Sequence, residues 1–270
     1  VAAAQDILMR LDVFLTEKGL CESRQRAKLL IESGLVMQNG RIVTKPAAAV
    51  AETDRIEIVG EALPYVSRGA LKLEKAFEAF SLDAAGQTAI DVGASTGGFT
   101  EYLLLRGAAK VYAVDAGSGQ LAAKLRADTR VISMEKYNAR LLSPKDFPMP
   151  PTLAVMDVSF ISQTLILPAL YPVLAERALL VSLVKPQFEA GREAIGKGGI
   201  VKNKADRAAA IRRVADSAAL CGFAFCEITP SPITGGDGNE EFLCCFAKGG
   251  ARPAYAGDVQ RRIGQAVGLK

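Results

Sequence analysis

From Thr88 onward the chain alternates short apolar runs with stretches of helical periodicity. Runs bounded by glycine, proline or charged clusters predict strands at Thr88 to Val92, Lys110 to Asp115, Val131 to Met134 and Thr152 to Asp157. Ala178 to Lys185, Phe223 to Ile228 and Glu241 to Ala247 complete a set of seven. Strands separated by helices predict an α/β fold with a doubly wound, mostly parallel sheet. The loop Thr229 to Asn239 carries no helical pattern, so the final strand is expected to return antiparallel.

The first sixty residues follow another pattern. Arg10 to Gly19 predicts a short helix with Leu11, Phe14 and Leu15 inward. Ser23 then caps a second helix, Arg24 to Ser33, which Gly34 stops. Its buried stripe is Ala27, Leu30 and Ile31, while Arg24 and Lys28, one turn apart, share an exposed face. Asn39-Gly40 between Leu35 to Gln38 and Arg41 to Val43 predicts a tight hairpin, and Arg55 to Val59 a further strand. The expected organisation is a small α+β domain over residues 1–59, a linker over 60–66 containing Pro64, a large domain over 67–248 and a tail over 249–270.

The glycine-rich turn after the first long strand, Asp91-Val-Gly-Ala-Ser-Thr-Gly-Gly-Phe-Thr100, adds chemistry to this frame. A strand, a glycine turn, a helix and a second strand ending in Asp115 form the sequence pattern of a nucleotide-type cleft. Gly93 and Gly98 have the outer spacing of a phosphate-binding loop, but Phe99-Thr100 follows where that loop needs lysine and a hydroxyl residue. The dinucleotide spacing fails too, since Ser95 stands two residues after Gly93. A nucleoside cofactor without phosphates fits best, and S-adenosyl-L-methionine is the common one. Asp91, Gly93, Ser95, Thr96, Gly97 and Gly98 are its candidate binding residues, with Asp115 for the ribose hydroxyls. The competing reading is that Gly97-Gly98 merely starts a helix packed tightly on the sheet.

Composition then removes classes of function. Half of the residues are hydrophobic, and the net charge of +4 permits an anionic partner without demanding one. The absence of histidine excludes Ser-His-Asp and Cys-His catalysis and leaves Lys, Asp and Glu as proton carriers. The five cysteines include no C-x-x-C pair, as in a reduced cytoplasmic protein without a zinc site. Val1 to Asp6 lacks the form of a signal peptide, and Leu165 to Ala175 is broken by Pro168 and Pro172, so no membrane span and no metal are expected.

Four charges converge on the same sheet edge as the glycine loop. Asp157 and Lys185 end predicted strands, and Glu241 begins the returning one. Lys72 lies in the first turns of a helix, Arg68 to Phe80, that leads into the first strand. Any one of them alone would be an ordinary strand-end charge; together they surround the edge where open α/β sheets bind ligands. A lysine placed there is drawn toward losing its proton by burial and a second lysine, and toward keeping it by the carboxylates. Asn138, after the third strand, is a candidate for the adenosine side of the cleft or a turn cap.

Six ordered motifs make a resemblance specific. Ser67-Arg-Gly-Ala-x-Lys72, the glycine loop, Val114-Asp-x-Gly-x-Gly-Gln-Leu121, Asp157-Val-Ser-Phe-Ile161, Val184-Lys-Pro-Gln-Phe-Glu189 and Gly238-Asn-x-Glu241 together resemble the TlyA family. These are hemolysin-like proteins related to FtsJ-type ribosomal RNA 2′-O-methyltransferases. Arg10 to Val59 is similar to the RNA-binding domain of the ribosomal protein S-four type. The resemblance implies a Rossmann-like seven-stranded methyltransferase sheet, S-adenosyl-L-methionine as cofactor and ribosomal RNA or ribosomal subunits as partner. It implies a catalytic tetrad of Lys72, Asp157, Lys185 and Glu241, and phosphate contacts from Arg10, Arg24, Arg26, Lys28 and Lys45. Apart from the resemblance, Arg192 and Lys197, on the glycine-rich loop Phe188 to Gly199, are candidates to extend a phosphate track from Arg68, with a plain surface loop as the alternative. The expected reaction is methylation of a ribose 2′-oxygen, of cytidine by that resemblance. A non-catalytic ribosome-binding factor and a cytolysin are the alternatives. Leu63-Pro-Tyr-Val66 departs from the Arg-x-Trp-Val segment of some family members.

Overall fold

The computed structural model describes residues 8–21, 23–59 and 65–269. Most of the expected linker, 60–64, and the residues read for a signal peptide therefore lie outside the described residues. The chain divides into two compact units, Val1–Arg68 and Gly69–Lys270.

In the first unit β1 (Met9–Arg10) leads into α1 (Leu11–Glu17), followed by α2 (Arg24–Glu32). The Ser23 hydroxyl caps α2 by accepting from Arg26 N at 3.2 Å, as the sequence predicts. Strands β2 (Val36–Gln38), β3 (Arg41–Ile42), β4 (Ala49–Val50) and β5 (Ile56–Ile58) follow. β2 pairs with both β3 and β5, while β4 pairs with β1 in a separate ladder that the sequence reading does not contain. Asn39 and Gly40 turn the β2–β3 hairpin with positive φ at both, 52° and 77°, the geometry that selects Asn-Gly. Leu11, Phe14, Leu15, Ala27, Leu30, Ile31, Val36 and Val50 form the unit's core.

The large unit opens with α3 (Gly69–Phe80), whose buried stripe includes Ala70, Leu73, Phe77 and Phe80. β6 (Thr88–Val92), α4 (Gly98–Leu105), β7 (Lys110–Val114), α5 (Ala123–Arg126), β8 (Val131–Met134) and β9 (Leu153–Met156) follow. Then come α6 (Leu167–Val173), β10 (Ala178–Val184), α7 (Pro186–Glu189), α8 (Lys204–Cys221), β11 (Ala224–Pro230), β12 (Phe242–Lys248) and α9 (Val259–Ala266). The seven-stranded sheet has the order β8-β7-β6-β9-β10-β12-β11. β12 alone runs against the others, pairing antiparallel with β10 and β11. β9 is apolar and buried throughout, and β10 is buried except at Leu179 with Ser182 its one polar residue, as in a sheet covered on both faces.

Of residues 249–270, set apart as a tail in the sequence reading, the described ones, 249–269, fold back onto the large unit. Asp258 caps α9 by accepting from Gln260 N at 2.8 Å, Ile263 is wholly buried, and Arg262 pairs with Glu227 of β11.

Candidate active site

The strand order reverses beside β6: successive strands go to one side as β7 and β8, then to the other as β9 and β10. Such a switch point opens a crevice at the carboxyl ends of the strands. The glycine loop leaves β6 on one side of it and Asp157 leaves β9 on the other, with Asp157 N donating to Val92 O at 3.0 Å. Gly93 passes directly beneath Asp157. A Cβ there would lie 2.3 Å from Asp157 O, and its φ is +88°, so both space and backbone require glycine. Gly93 N and Ala94 N donate to Val114 O, tying the loop to the end of β7.

A cavity of about 370 Å³ occupies this crevice, lined by Gly93, Ser95, Asp115, Gln120, Asn138, Asp157 and Phe160 among others. Asp115 accepts from Ser95 N and Gly117 N, each at 2.7 Å, which fixes the carboxylate at the cavity wall. Asn138 both lines the cavity and caps the following turn, accepting from Arg140 N at 3.1 Å. Thr96, Gly97 and Gly98 do not line it: Thr96 O accepts from Ala122 N, Gly97 caps α4 and Gly98 is buried in its first turn. Asp91 also lies outside the wall, wholly buried beneath it, with Oδ2 accepting from the Thr100 hydroxyl at 2.6 Å and Oδ1 unpartnered. Burial, opposed in part by the Thr100 hydroxyl, pushes the Asp91 carboxyl up to about 7, and the like charges of Asp157 and Asp115 push the same way. A larger groove of about 670 Å³ along α8 holds none of the predicted site residues.

The four predicted charges meet as two ion pairs. Lys185 Nζ lies 2.6 Å from Asp157 Oδ1, without the alignment of a hydrogen bond, and donates to Ser159 Oγ at 2.8 Å. Lys72 Nζ donates to Glu241 Oε2 at 2.6 Å, with the two side chains only 10% and 2% exposed. The β10–β12 register pairs Val184 with Phe242, so one step further sets Lys185 opposite Glu241. Lysine at the end of a covered strand is tolerated because each ammonium has its carboxylate; removing one partner of a buried pair costs about 3–5 kcal/mol. Gly235 leaves room for the Glu241 carboxylate, since a Cβ there would lie 2.6 Å from Oε1.

Three neighbours escaped the sequence reading. Ser159 supplies a hydroxyl to Lys185, Gln120 accepts from Ser95 Oγ, and Phe160 stands 92% exposed with φ +63°. A bulky residue at positive φ costs of order 1–3 kcal/mol. Phe160 packs on Phe188 with ring centroids 5.2 Å apart. The signal available in the sequence was an aromatic inside a polar segment, Asp157-Val-Ser-Phe-Ile-Ser-Gln163, that otherwise reads as a plain loop.

In the first unit the predicted RNA contacts divide. Arg10 and Arg24 both bind the wholly buried Asp12, whose carboxyl the Arg10 hydrogen bonds hold down at about 2 against its burial, with Arg24 helping. Arg26 donates to Tyr65 O at 3.2 Å, and Arg68 donates to Glu32 O at 3.0 Å. Lys28 and Lys45 are exposed.

The profile of FtsJ-like methyltransferases matches residues 65–248. The chain belongs to the FtsJ-like methyltransferase family. The FtsJ-like segment contains both ion pairs and every residue lining the cavity. The S4 domain profile matches residues 9–56. The 16S/23S rRNA (cytidine-2′-O)-methyltransferase TlyA of Mycobacterium tuberculosis is 45% identical over 235 residues, covering 87% of this chain and 88% of that protein. Hemolysin A of Brachyspira hyodysenteriae is 44% identical over 239 residues, 88% of this chain and 99% of the other. A solved structure from Streptococcus thermophilus, of a protein carrying the hemolysin name, superposes with a TM-score of 0.76 at 45% identity, covering 98% of this chain and 95% of that one. The resemblance to the TlyA family drawn from the motifs is thereby established. Among the described residues no helix is long and apolar enough to cross a membrane, and no group of three or more His, Cys, Asp or Glu side chains could hold a metal ion.

Proposed function

We propose that this FtsJ-like enzyme methylates a ribose 2′-hydroxyl of ribosomal RNA, that of a cytidine, in the cytoplasm, with S-adenosyl-L-methionine as donor. The observation that carries this reading is the Lys185–Asp157 pair at the lip of a glycine-floored, acidic cavity. The cavity suits that donor and repels phosphates. Asp115 and Asp157 line it, Asp91 lies beneath with an unpartnered oxygen, and the switch-point loop offers no lysine. The Asp115 and Asp157 carboxylates favour a ligand bearing a sulfonium and an ammonium over a polyphosphate. Gly93, Ser95, Asp115 and Asn138 are the residues that would hold it, Asp115 through carboxylate lone pairs left by its two backbone donors. The bound cofactor supplies an electrophilic methyl group.

The protein's own tasks are alignment and removal of one proton. Lys185 receives the 2′-hydroxyl. A neutral Nζ takes its proton; a charged Nζ orients its oxygen. Asp157 and Ser159 fix Nζ in place, and the Lys72–Glu241 pair balances charge behind it. Phe160 offers the target base an exposed ring for stacking at the cavity rim. The small unit adds phosphate contacts from Lys28 and Lys45, with Arg10, Arg24, Arg26 and Arg68 contributing whatever charge their internal partners leave. The rRNA methyltransferase activity of the Mycobacterium tuberculosis relative and the S4 match support RNA as the substrate.

The test is nucleoside mass spectrometry of naked ribosomal RNA, subunits and ribosomes treated with the purified protein and the donor. A new 2′-O-methylcytidine is expected. RNA binding without any new methylated nucleoside on all three substrates would leave only a binding factor.

A further inference from the structure

The segments that carry Asp157 and Lys185 both run on into a buried polar chain that no step of methyl transfer uses. Gln163, Ser182 and Glu189 are 1%, 0% and 2% exposed. Ser162 Oγ donates to Glu189 Oε2 at 2.6 Å, and Gln163 N donates to Glu189 Oε1 at 2.8 Å. Gln163 Nε2 donates in turn to Leu183 O at 2.6 Å, and the Ser182 hydroxyl donates to Gln163 Oε1. Both oxygens of one buried carboxylate thus grip the loop after β9, and the side-chain amide of that loop grips the end of β10. Hydrogen bonds to a carboxylate are the strong class, yet burying a carboxylate is expensive, and apolar packing would fill the space at lower cost. Burial pushes the Glu189 carboxyl up, while Ser162, Gln163 and Arg213 draw it back.

What the grip holds is the strained stretch between its ends. Ser159 accepts from Lys185 Nζ at 2.8 Å, and Phe160 follows at φ +63°. Such a conformation persists only where the surroundings over-determine it. Upstream, Asp157 N is tied to Val92 O at 3.0 Å. Downstream, the tie is Glu189, on the same short turn as Lys185. We propose that Glu189, acting with Gln163, is a positioning residue: it clasps the 157–163 loop to the 185–189 turn and so holds Lys185 Nζ against Asp157 and Ser159. Glu189 itself touches none of the reacting groups, and its kinetic consequence rests on the methyltransferase reading above.

Glu189→Gln keeps the size but turns one acceptor into a donor, which then faces the Ser162 hydroxyl or the Gln163 amide. The expected single-turnover transfer rate falls about tenfold or more, since small misplacements of reacting groups are costly. Affinity for S-adenosylhomocysteine, by calorimetry, stays within about twofold, because Gly93, Ser95, Asp115 and Asn138, the residues that would hold it, lie outside the clasped loop. Amide exchange quickens in 157–163 and is unchanged in β6. Ser162→Ala removes one of the two grips and gives the same pattern in smaller measure; it decides the matter if Glu189→Gln does not fold. A wild-type rate in the variants would overturn the clasp. So would a parallel loss of rate, cofactor affinity and melting temperature, the mark of a plain structural prop. If the wild-type protein itself transfers no methyl group, the functional reading fails, and exchange alone judges the clasp: unaltered exchange in 157–163 overturns it.

Discussion

Both units gather cations around carboxylates, and the two gatherings differ in kind. In the small unit Asp12 sits wholly buried between two arginines whose side chains stay half exposed. In the large unit two lysines, each with its own carboxylate, stand at the end of a sheet, and one of these pairs faces a cavity. A guanidinium holds its proton under all ordinary conditions and clamps a carboxylate with forked donors. An ammonium is a point charge that can give up its proton. The first gathering is therefore fixed in charge, and the second is the one that we propose meets a ligand entering the cavity. Opposite charges in a sequence carry neither meaning until the residue type and an adjacent space are known.

The largest effect should come from Lys185→Ala, which removes the cation paired with Asp157 at the cavity wall. Transfer to ribosomal RNA is expected to fall by about 10²- to 10⁴-fold, the range for loss of a general base, while S-adenosylhomocysteine still binds. Lys185→Arg sharpens the comparison, because it keeps the charge and cannot take a proton. Equal loss in both variants marks proton removal as the role; substantial activity in Lys185→Arg marks orientation. Full activity in Lys185→Ala would sink the assignment.

Next in size is Asp12→Ala, which should leave the chemistry of the large unit alone and loosen the small one by roughly 2 kcal/mol, the scale of charged hydrogen bonds. The sign with pH is set by a carboxyl held at about 2 when folded and near 4 when unfolded. Its stabilisation is complete above the unfolded value and disappears as pH falls through the folded one. The gap in thermal midpoint between wild type and variant should therefore be full at pH 5 and close toward pH 2. A gap that does not change with pH would show that Asp12 fills space and does not act through its charge.

The frame of the molecule was legible because its signals are local. Seven bounded apolar runs gave seven strands, and the helix-free loop before Glu241 gave the one reversed strand, β12. Asn39-Gly40 announced its hairpin by backbone chemistry alone. The β1–β4 ladder, two residues a side, was invisible because two residues carry no periodicity. At the site, Lys72, Asp157, Lys185 and Glu241 could be gathered at one edge by strand direction, but their division into two pairs depends on register and burial. Asp91 looked like part of the cavity wall, yet its side chain meets Thr100 of α4; one residue of strand phase separates those outcomes. Glu189 closes one of the six motifs, but nothing local shows that its oxygens meet Ser162 and Gln163, 27 and 26 residues earlier.

The smallest effect bears most directly on the comparison. Each exposed lysine that neutralises an RNA phosphate should contribute close to one unit to the slope of log affinity against log salt. Lys28→Gln and Lys45→Gln are each expected to reduce that slope by about one and to weaken binding only a few-fold at moderate salt. Arg10→Gln starts with as much formal charge, but that charge is already shared with Asp12, so its slope change should be smaller and its loss of thermal midpoint larger. The measurement is fluorescence titration of a ribosomal RNA fragment at several salt concentrations, beside a melt of each variant. Equal slope changes for Arg10→Gln and Lys28→Gln would mean that the guanidinium turns from Asp12 to the phosphate when RNA arrives. The small unit's closed cluster would then be as open to a ligand as the lysines of the large one.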